Sequence, residues 1–316
     1  MTRSPDSSPV SRSLKAHLLL VLMTFIWGTT FVLIKEALQS ISPLLFNAVR
    51  MSLAAVIMAV LYRKQLSALT RPAFKAGLVV GIFLFLGYEF QTTGLRLTTP
   101  SKSAFLTGIS TVLVPLFLII FWRAHIHLWR AAGILSAFTG LFLMTVPPGR
   151  QAIADLVNVN PGDLLTIACA VGFAFQIIFV GRASQRFPFE QIAVLQLATA
   201  AVLMTITVPI AEHPRFQFSA IVVSAVLVTG ILCTAVAFTV QAWAQQFTPP
   251  THAALIFTLE PVFAWLTSYV YLHERLGPRA GAGALLIVAG VLISEVLGNV
   301  MQPERELTGE QASSSG

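Results

Sequence analysis

The feature that most constrains this chain is an apolar run of roughly 20 residues that recurs along the whole sequence. A run of that length can cross a bilayer as a helix, because a helix satisfies its own backbone hydrogen bonds in hydrocarbon. Charged residues make up only 10% of the chain, whereas soluble globular proteins carry about 25%. The sequence therefore excludes a soluble enzyme and predicts an all-α polytopic membrane protein with ten transmembrane helices, at about 16–37, 44–62, 75–97, 101–122, 127–146, 161–182, 188–210, 218–246, 250–272 and 278–298.

The second half of the sequence repeats the first. An offset of 150 residues brings identical residues together, among them Gln91 with Gln241, Pro100 with Pro250, Gly133 with Gly283 and Gly140 with Gly290. We therefore expect five-helix repeats at 15–147 and 160–298, between disordered cytoplasmic tails at 1–14 and 299–316. Five is odd, so the repeats must cross the membrane in opposite senses, as in many secondary transporters. A duplication that only completes a stable bundle is the alternative.

The basic residues indicate orientation. The net charge is +7, but Lys and Arg are scattered between the apolar runs rather than clustered, so a nucleic-acid partner is not predicted. More of them fall on the side of the N-terminus, where the 63–75 loop is basic and its counterpart around Glu212 is not. The positive-inside rule then places both termini in the cytoplasm.

Three charged residues lie well inside predicted spans: Arg50, Glu89 and Glu260. A buried charge costs roughly 3 kcal/mol on insertion, so each needs a reason. Glu260 lies near the midplane beside Pro261, which removes a helix hydrogen bond. It could bind an amine or a proton, or it could belong to a structural hinge. Lys35, Glu36 and Glu295 lie near span ends, where contact with headgroups explains them more simply.

Arg50 and Glu89 are predicted to form an ion pair. Both should lie roughly 10 to 12 Å below the outer surface, at ~1.5 Å per residue, on spans joined by a short connection. Such a pair could open and close as a gate, it could release Arg50 to bind a substrate carboxylate, or it could be static.

Aromatic and polar residues offer a plausible lining for a substrate cavity. Tyr88 and Gln91 share a helix face, and Gln91 coincides with Gln241 in the repeat. A glutamine in a span can equally hold two helices together. The candidate lining consists of Trp27, Thr30, Asn47, Tyr88, Gln91, Gln176, Gln241 and His252, with Trp243 and Trp265 as further candidates.

Signals for other chemistry are weak. His125 and His127 do not share a helix face and have no acid or cysteine nearby, so no metal site is predicted. The sequence has no Walker-type loop, so no nucleotide cofactor is expected, and it has no GxSxG or HExxH motif. Glycines at 133, 140, 283 and 290 are predicted to allow close helix packing.

Four segments resemble the EamA family of the drug/metabolite transporter superfamily. They are Trp27-Gly28-Thr29-Thr30-Phe31, the stretch from Pro43 to Arg50, the run Glu260-Pro261-Val262-Phe263-Ala264 and the HERLGP sequence that follows it. The resemblance covers about residues 15 to 298. It implies an inner-membrane carrier, commonly an exporter of amino acids or related metabolites, with cytoplasmic termini. The first copy departs from the second, since Thr111 stands where the second has Pro261 and the proline comes one turn later, at Pro115.

These observations predict a secondary carrier in the lipid bilayer. It would move a small-molecule substrate by alternating access, in which the binding site opens to each side of the membrane in turn. An intramembrane enzyme and a non-transporting scaffold are the alternatives. The sequence does not fix the oligomeric state.

Overall fold

The computed structural model describes residues 9–98, 100–150, 154, 158–272 and 277–297. The described part of the chain is helical apart from short connections and one isolated β-bridge. The predicted tails at 1–8 and 299–316 lie outside these residues. Residues 9–14 were expected to belong to the N-terminal tail, but they form the start of the first helix, which begins at Pro9. Proline suits the first turn of a helix, where its missing N–H has no partner to lose.

The helices occur in the predicted order. We number the spans α1 to α10 and divide α4 and α9 into two halves, a and b. Their bounds are α1 Pro9–Ala37, α2 Pro43–Leu61, α3 Arg71–Leu95, α4a Pro100–Gly108, α4b Ser110–Trp122, α5 Leu128–Thr145, α6 Pro161–Ser184, α7 Phe189–Ala211, α8 Ala220–Ala244, α9a Pro250–Phe257, α9b Glu260–Leu272 and α10 Pro278–Leu297.

The predicted fold class is confirmed. Nine helices among the described residues are long and apolar enough to cross a membrane. The remaining span, α9, is divided into halves that are each too short to be counted alone. The chain is therefore an all-α polytopic membrane protein built from two five-helix repeats.

The two repeats interlock. In the repeat, α1 is equivalent to α6, α2 to α7, α3 to α8 and α4 to α9. Helix α1 packs on α9b, and correspondingly α6 packs on α4; helix α3 packs on α7, and correspondingly α8 packs on α2. Helices α2 and α7 pack on each other, as do α5 and α10. Exchanging the repeats reproduces each of these contacts, which is the pattern expected of two related units around a pseudo-twofold axis.

Glycines bring α5 and α10 into direct backbone contact. A Cβ atom on Gly133 would lie 2.5 Å from the carbonyl oxygen of Gly290, and one on Gly140 would lie 2.4 Å from that of Gly283. The reciprocal distances are 2.4 Å at Gly290 and 2.6 Å at Gly283. No side chain fits at these positions, so the predicted role in close packing is confirmed.

Helices α4 and α9 are interrupted at equivalent positions of the repeat. Ile109 and Leu259 stand between the two halves, and each donates its N–H to the carbonyl three residues earlier rather than four. In α9, Pro261 lacks the N–H that would continue the helical ladder. In α4, Pro115 lies inside the second half, so the shifted proline does not abolish the interruption. The second half begins with Ser110 in α4 and with Glu260 in α9, so only the second repeat carries an acid there.

Two helices also contain π-helical turns. Residues Thr229–Val236 of α8 and Ile293–Leu297 of α10 are wound in this way. Such turns are rare and occur often at functional sites. In this chain they contain Cys233 and Glu295, which belong to the two polar clusters described next.

Candidate functional site

Arg50 of α2 is buried in the bundle, with only 7% of its surface exposed. Its guanidinium carbon lies 4.8 Å from the ring centre of Tyr88 and 5.6 Å from that of Phe46. The ion pairs between described residues do not include Arg50, and its Nε has no hydrogen-bond partner among them. Arg50 is therefore held by aromatic faces and has no carboxylate counter-ion in the part of the chain that the structure describes.

The predicted ion pair between Arg50 and Glu89 is absent from this structure. Successive residues of a helix point about 100° apart, so Tyr88 and Glu89 cannot both face Arg50. Tyr88 occupies that face of α3, whereas the Glu89 side chain is directed toward Thr207 of α7. The two spans do bring Arg50 next to a residue adjacent to Glu89, but the rotation of α3 differs from the prediction.

Glu260 begins α9b, next to the interruption of α9. Its side chain is half-buried and forms no ion pair or hydrogen bond with another described residue. Helix α1 lies against it, because a Cβ atom on Gly28 would stand 2.8 Å from the Glu260 carbonyl oxygen and 2.7 Å from Cβ of Phe263. The carboxylate thus lies at a helix end inside the bundle, with no partner of opposite charge among the described residues.

Residues of α1 and α8 complete the surroundings of these two charges. The indole Nε1 of Trp27 donates a 2.8 Å hydrogen bond to the carbonyl of Cys233, and the hydroxyl of Thr30 lies 3.3 Å from the Cys233 sulfur. Trp27 also contacts the ring of Phe238, with the ring centres 5.9 Å apart. Cys233 lies in the π-helical turn of α8.

Tyr88 and Cys233 lie within electrostatic range of both Arg50 and Glu260. The aromatic wall continues from Tyr88 to Phe173, with the ring centres 5.3 Å apart. We call this group the central site; it consists of Trp27, Thr30, Arg50, Tyr88, Cys233 and Glu260, from α1, α2, α3, α8 and α9b.

The predicted glutamines lie outside the central site. Gln176 of α6 donates hydrogen bonds to Gln196 of α7 at 3.0 Å and to Gln241 of α8 at 3.3 Å. All three are almost fully buried. Gln91 instead donates to Thr107 of α4a at 3.4 Å, so the structure does not bring it together with Gln241. These contacts join helices, which is the structural alternative for a glutamine in a span.

Asn47 also makes an interhelical bond, since it donates to the Thr92 hydroxyl at 2.8 Å. His252 lies elsewhere, at the face of the bundle where α1 begins and α10 ends, which we call the terminal face. There its Nδ1 is 2.9 Å from Oε1 of Glu295, and Nδ1 of His17 is 3.1 Å from Oε2 of the same carboxylate.

This cluster corrects two expectations. His252 does not line a cavity with Trp27, and Glu295 does not simply reach for lipid headgroups, because it lies between two imidazoles. The expectation that no metal site exists rested on His125 and His127 alone. His17, His252 and Glu295 bring together the donor atoms that could hold a metal. They were not predicted from the sequence because they are far apart along the chain. Glu295 lies in the π-helical turn of α10, whereas its equivalent in the first repeat, Thr145, is the last residue of α5.

The opposite face, which we call the far face, carries two ion pairs between the repeats. Arg96 lies 3.4 Å from Glu212, which also accepts hydrogen bonds from the backbone N–H groups of Leu44 and Leu45 at the start of α2. Lys102 lies 2.6 Å from Asp163. Arg96 and Lys102 were interpreted from the sequence only as indicators of membrane orientation, so these ion pairs were not predicted.

A sequence signal for the second pair did exist. Asn160 and Asp163 form a reciprocal capping box at the start of α6, with Asn160 as the N-cap and the acid three residues later. The Thr98 hydroxyl donates to the same carboxylate at 2.6 Å. Asp163 therefore fixes the beginning of α6 and joins it to the first repeat.

Comparison with known proteins agrees with this architecture. The model of the EamA-like transporter family matches residues 14–146 and 160–295. A protein of Archaeoglobus fulgidus named "Uncharacterized transporter" is 33% identical over 282 residues, which cover 89% of this chain and 86% of that protein. A protein of Chlamydia trachomatis serovar L2 named "S-adenosylmethionine/S-adenosylhomocysteine transporter" is 24% identical over 206 residues, or 62% of each chain.

A solved crystal structure shares the fold, with a TM-score of 0.74 and 18% identity over 92% of this chain and 99% of that one. The family match spans both repeats and leaves only the ends and the connection at 147–159 uncovered. On these grounds the chain belongs to the EamA-like transporter family.

Proposed function

We propose that this protein is a secondary carrier of small zwitterionic metabolites, with amino acids as the main class, and that the central site binds the substrate. The observation that carries the proposal is the pair of opposite charges, Arg50 and Glu260, which both lie within electrostatic range of Tyr88 and Cys233 and form no ion pair with a described residue. An α-carboxylate would bind the guanidinium and an α-ammonium would bind the carboxylate.

The energy of the two charges supports a bound zwitterion. Each uncompensated charge inside a membrane costs about 2.5 to 3.5 kcal/mol on insertion scales. A ligand that carries both opposite charges removes most of that cost for Arg50 and Glu260 together, whereas a ligand with one charge removes only half. The aromatic rings of Trp27 and Tyr88 would face the remaining, less polar part of the substrate.

The origin of the residues supports alternating access. Trp27, Arg50 and Tyr88 belong to the first repeat, while Cys233 and Glu260 belong to the second. A movement of the repeats against each other would therefore change the site and its access together. The two units that move would be 15–147 and 160–298.

Contacts between the repeats at the two faces are suited to such a movement. On the far face the ion pairs of Arg96 with Glu212 and of Lys102 with Asp163 join the repeats. At the terminal face His17 of the first repeat meets Glu295 of the second. The distribution of Lys and Arg supports cytoplasmic termini in a plasma membrane, and the resemblance of the sequence to EamA exporters supports outward transport.

The Chlamydia relative is consistent with this substrate class. S-adenosylmethionine and S-adenosylhomocysteine each contain an α-amino acid group, which carries the carboxylate and the ammonium that the central site would recognise. The shared feature that we propose is recognition of that group, not of the rest of the molecule.

Binding to purified protein tests the proposal. Thermal stability in detergent would be measured with an amino acid, with the amine that lacks its carboxylate and with the acid that lacks its amine, because a ligand of the native state raises apparent stability. The variants are Arg50→Gln and Glu260→Gln. Glu89→Gln is the matched control, since it also neutralises a buried acid but lies outside the central site.

We expect the amino acid to stabilise the wild type most. In Arg50→Gln the amino acid should bind no better than the amine, and in Glu260→Gln no better than the acid, while Glu89→Gln keeps the wild-type order. If Arg50→Gln folds and still prefers the amino acid to the amine as strongly as the wild type does, Arg50 does not bind the carboxylate and the proposed site is wrong.

A further inference from the structure

The polar cluster at the terminal face is separate from the central site. It contains His17 of α1, His252 of α9a and Glu295 of the π-helical turn of α10. The imidazoles approach different oxygens of one carboxylate, at 3.1 Å and 2.9 Å, and their ring centres are 5.8 Å apart. Three distant parts of the sequence thus present two nitrogen donors and one oxygen donor to a common point.

His252 indicates that a ligand belongs at this point. It is only 2% exposed, and its Nε2 has no hydrogen-bond partner among the described residues, while its Nδ1 lies 2.9 Å from Oε1 of Glu295 without the alignment of a hydrogen bond. Nε2 of His17 is likewise buried without such a partner. Leaving a buried polar group unsatisfied is unfavourable, so an imidazole in this state is better explained if its nitrogen donates to a bound ion.

The donor set fits a transition-metal ion. Two neutral imidazoles and one carboxylate are ligands that Zn²⁺ accepts, usually with water in the fourth position. The candidate donor atoms lie within 4.8 Å of one another. Zinc bonds of about 2.0 to 2.1 Å place tetrahedral ligands roughly 3.3 Å apart, so small side-chain rotations would complete the site.

We propose that His17, His252 and Glu295 form a binding site for a late first-row divalent cation such as Zn²⁺. The bound ion joins α1 of the first repeat to α9a and α10 of the second. It therefore braces the terminal face of the bundle in the arrangement described here. The assignment rests on the geometry of this cluster and not on what the central site binds.

Metal titration of the full-length protein, prepared without a polyhistidine tag, tests this assignment. Zn²⁺ would be titrated in competition with a chromophoric chelator for the wild type, His17→Gln, His252→Gln and Glu295→Gln. The control is the double variant His125→Gln/His127→Gln, which also removes two imidazoles but leaves the cluster intact. Melting curves without metal check that each variant is folded.

We expect one Zn²⁺ per wild-type chain and per control chain. Each cluster variant should lose more affinity than the about 10- to 100-fold that removal of an outer-shell partner costs. Stoichiometric binding should also raise the melting temperature of the wild type and not that of His252→Gln. Failure of the wild type to bind more tightly than His252→Gln overturns the assignment.

X-ray absorption of the wild-type zinc complex gives an answer even if a variant does not fold. The expected first shell contains nitrogen and oxygen atoms at about 2.0 to 2.1 Å, with outer-shell scattering from two imidazoles. Sulfur in the first shell would instead place the ion at Cys169 or Cys233 and overturn the proposal.

Discussion

Substitution of Gly283 by alanine tests the close packing of α5 on α10. The added Cβ atom would stand 2.6 Å from the carbonyl oxygen of Gly140 and 2.8 Å from Cγ of Met144. Contacts between carbon and carbonyl oxygen are normally about 3.3 to 3.6 Å, so the two helices must separate by roughly 0.8 Å locally. Overpacking of this kind costs about 1 to 3 kcal/mol.

Gly281 provides a matched control on the same helix. A Cβ atom there meets nothing within 4 Å. Alanine is the better helix former, so Gly281→Ala should leave stability unchanged or raise it by up to about 1 kcal/mol. The two substitutions are chemically identical and two residues apart, yet only Gly283→Ala should destabilise the protein.

The assay is the thermal unfolding of purified protein in detergent, followed by loss of the folded fraction. Gly283→Ala should lower the melting temperature by a few degrees, because 1 kcal/mol corresponds to about 2 to 4 °C for chains of about 150 to 250 residues and to somewhat less for a longer one. Adding Gly140→Ala should cost less than it does alone, since the helices are already apart. Equal melting temperatures for Gly283→Ala and Gly281→Ala would refute the backbone contact.

Three further predictions concern other parts of the bundle. Arg50→Ala and Glu89→Ala should have additive effects on stability, within about 0.5 kcal/mol in a double-mutant cycle, because the two side chains do not pair; a clear coupling energy would contradict the rotation of α3. Asn160→Ala should lower stability in a thermal melt by about 1 kcal/mol, because it removes the cap of α6, and a melt identical to that of the wild type would show that the cap contributes nothing. Pro261→Ala should restore a backbone donor at the interruption of α9, so we expect higher thermal stability with slower transport in proteoliposomes; faster transport would contradict a role of the interruption in movement.

The periodic features of the fold were predictable because they depend on local chemistry. Apolar length indicated ten spans, and the spacing of Gly133 and Gly140 with their repeat counterparts indicated close helix packing, although not that α5 and α10 are the helices that meet. The interruption at Leu259 could be expected from Pro261. The equivalent interruption at Ile109 could not, because Pro115 lies one turn away from the matching position.

Side-chain partners were harder to predict, because they depend on how far each helix is rotated. An error of one residue turns a side chain by about 100°, which is the difference between Tyr88 and Glu89 as the neighbour of Arg50. The cluster of His17, His252 and Glu295 depends on three helices that are far apart in the sequence. No local pattern connects those residues, so only the packed bundle brings them together.

Counterflow in proteoliposomes tests the central claim most directly, namely that this protein exchanges zwitterions through a site that needs both charges of the substrate. Vesicles containing the purified wild type would be loaded with an unlabelled mixture of proteinogenic amino acids, and uptake of the labelled mixture would be followed. Parallel vesicles would be loaded with the corresponding amines or with the corresponding carboxylic acids. We predict that internal amino acids accelerate uptake strongly, whereas internal amines and acids do not. Equal acceleration by amines alone, or no acceleration by any amino acid, would contradict the claim.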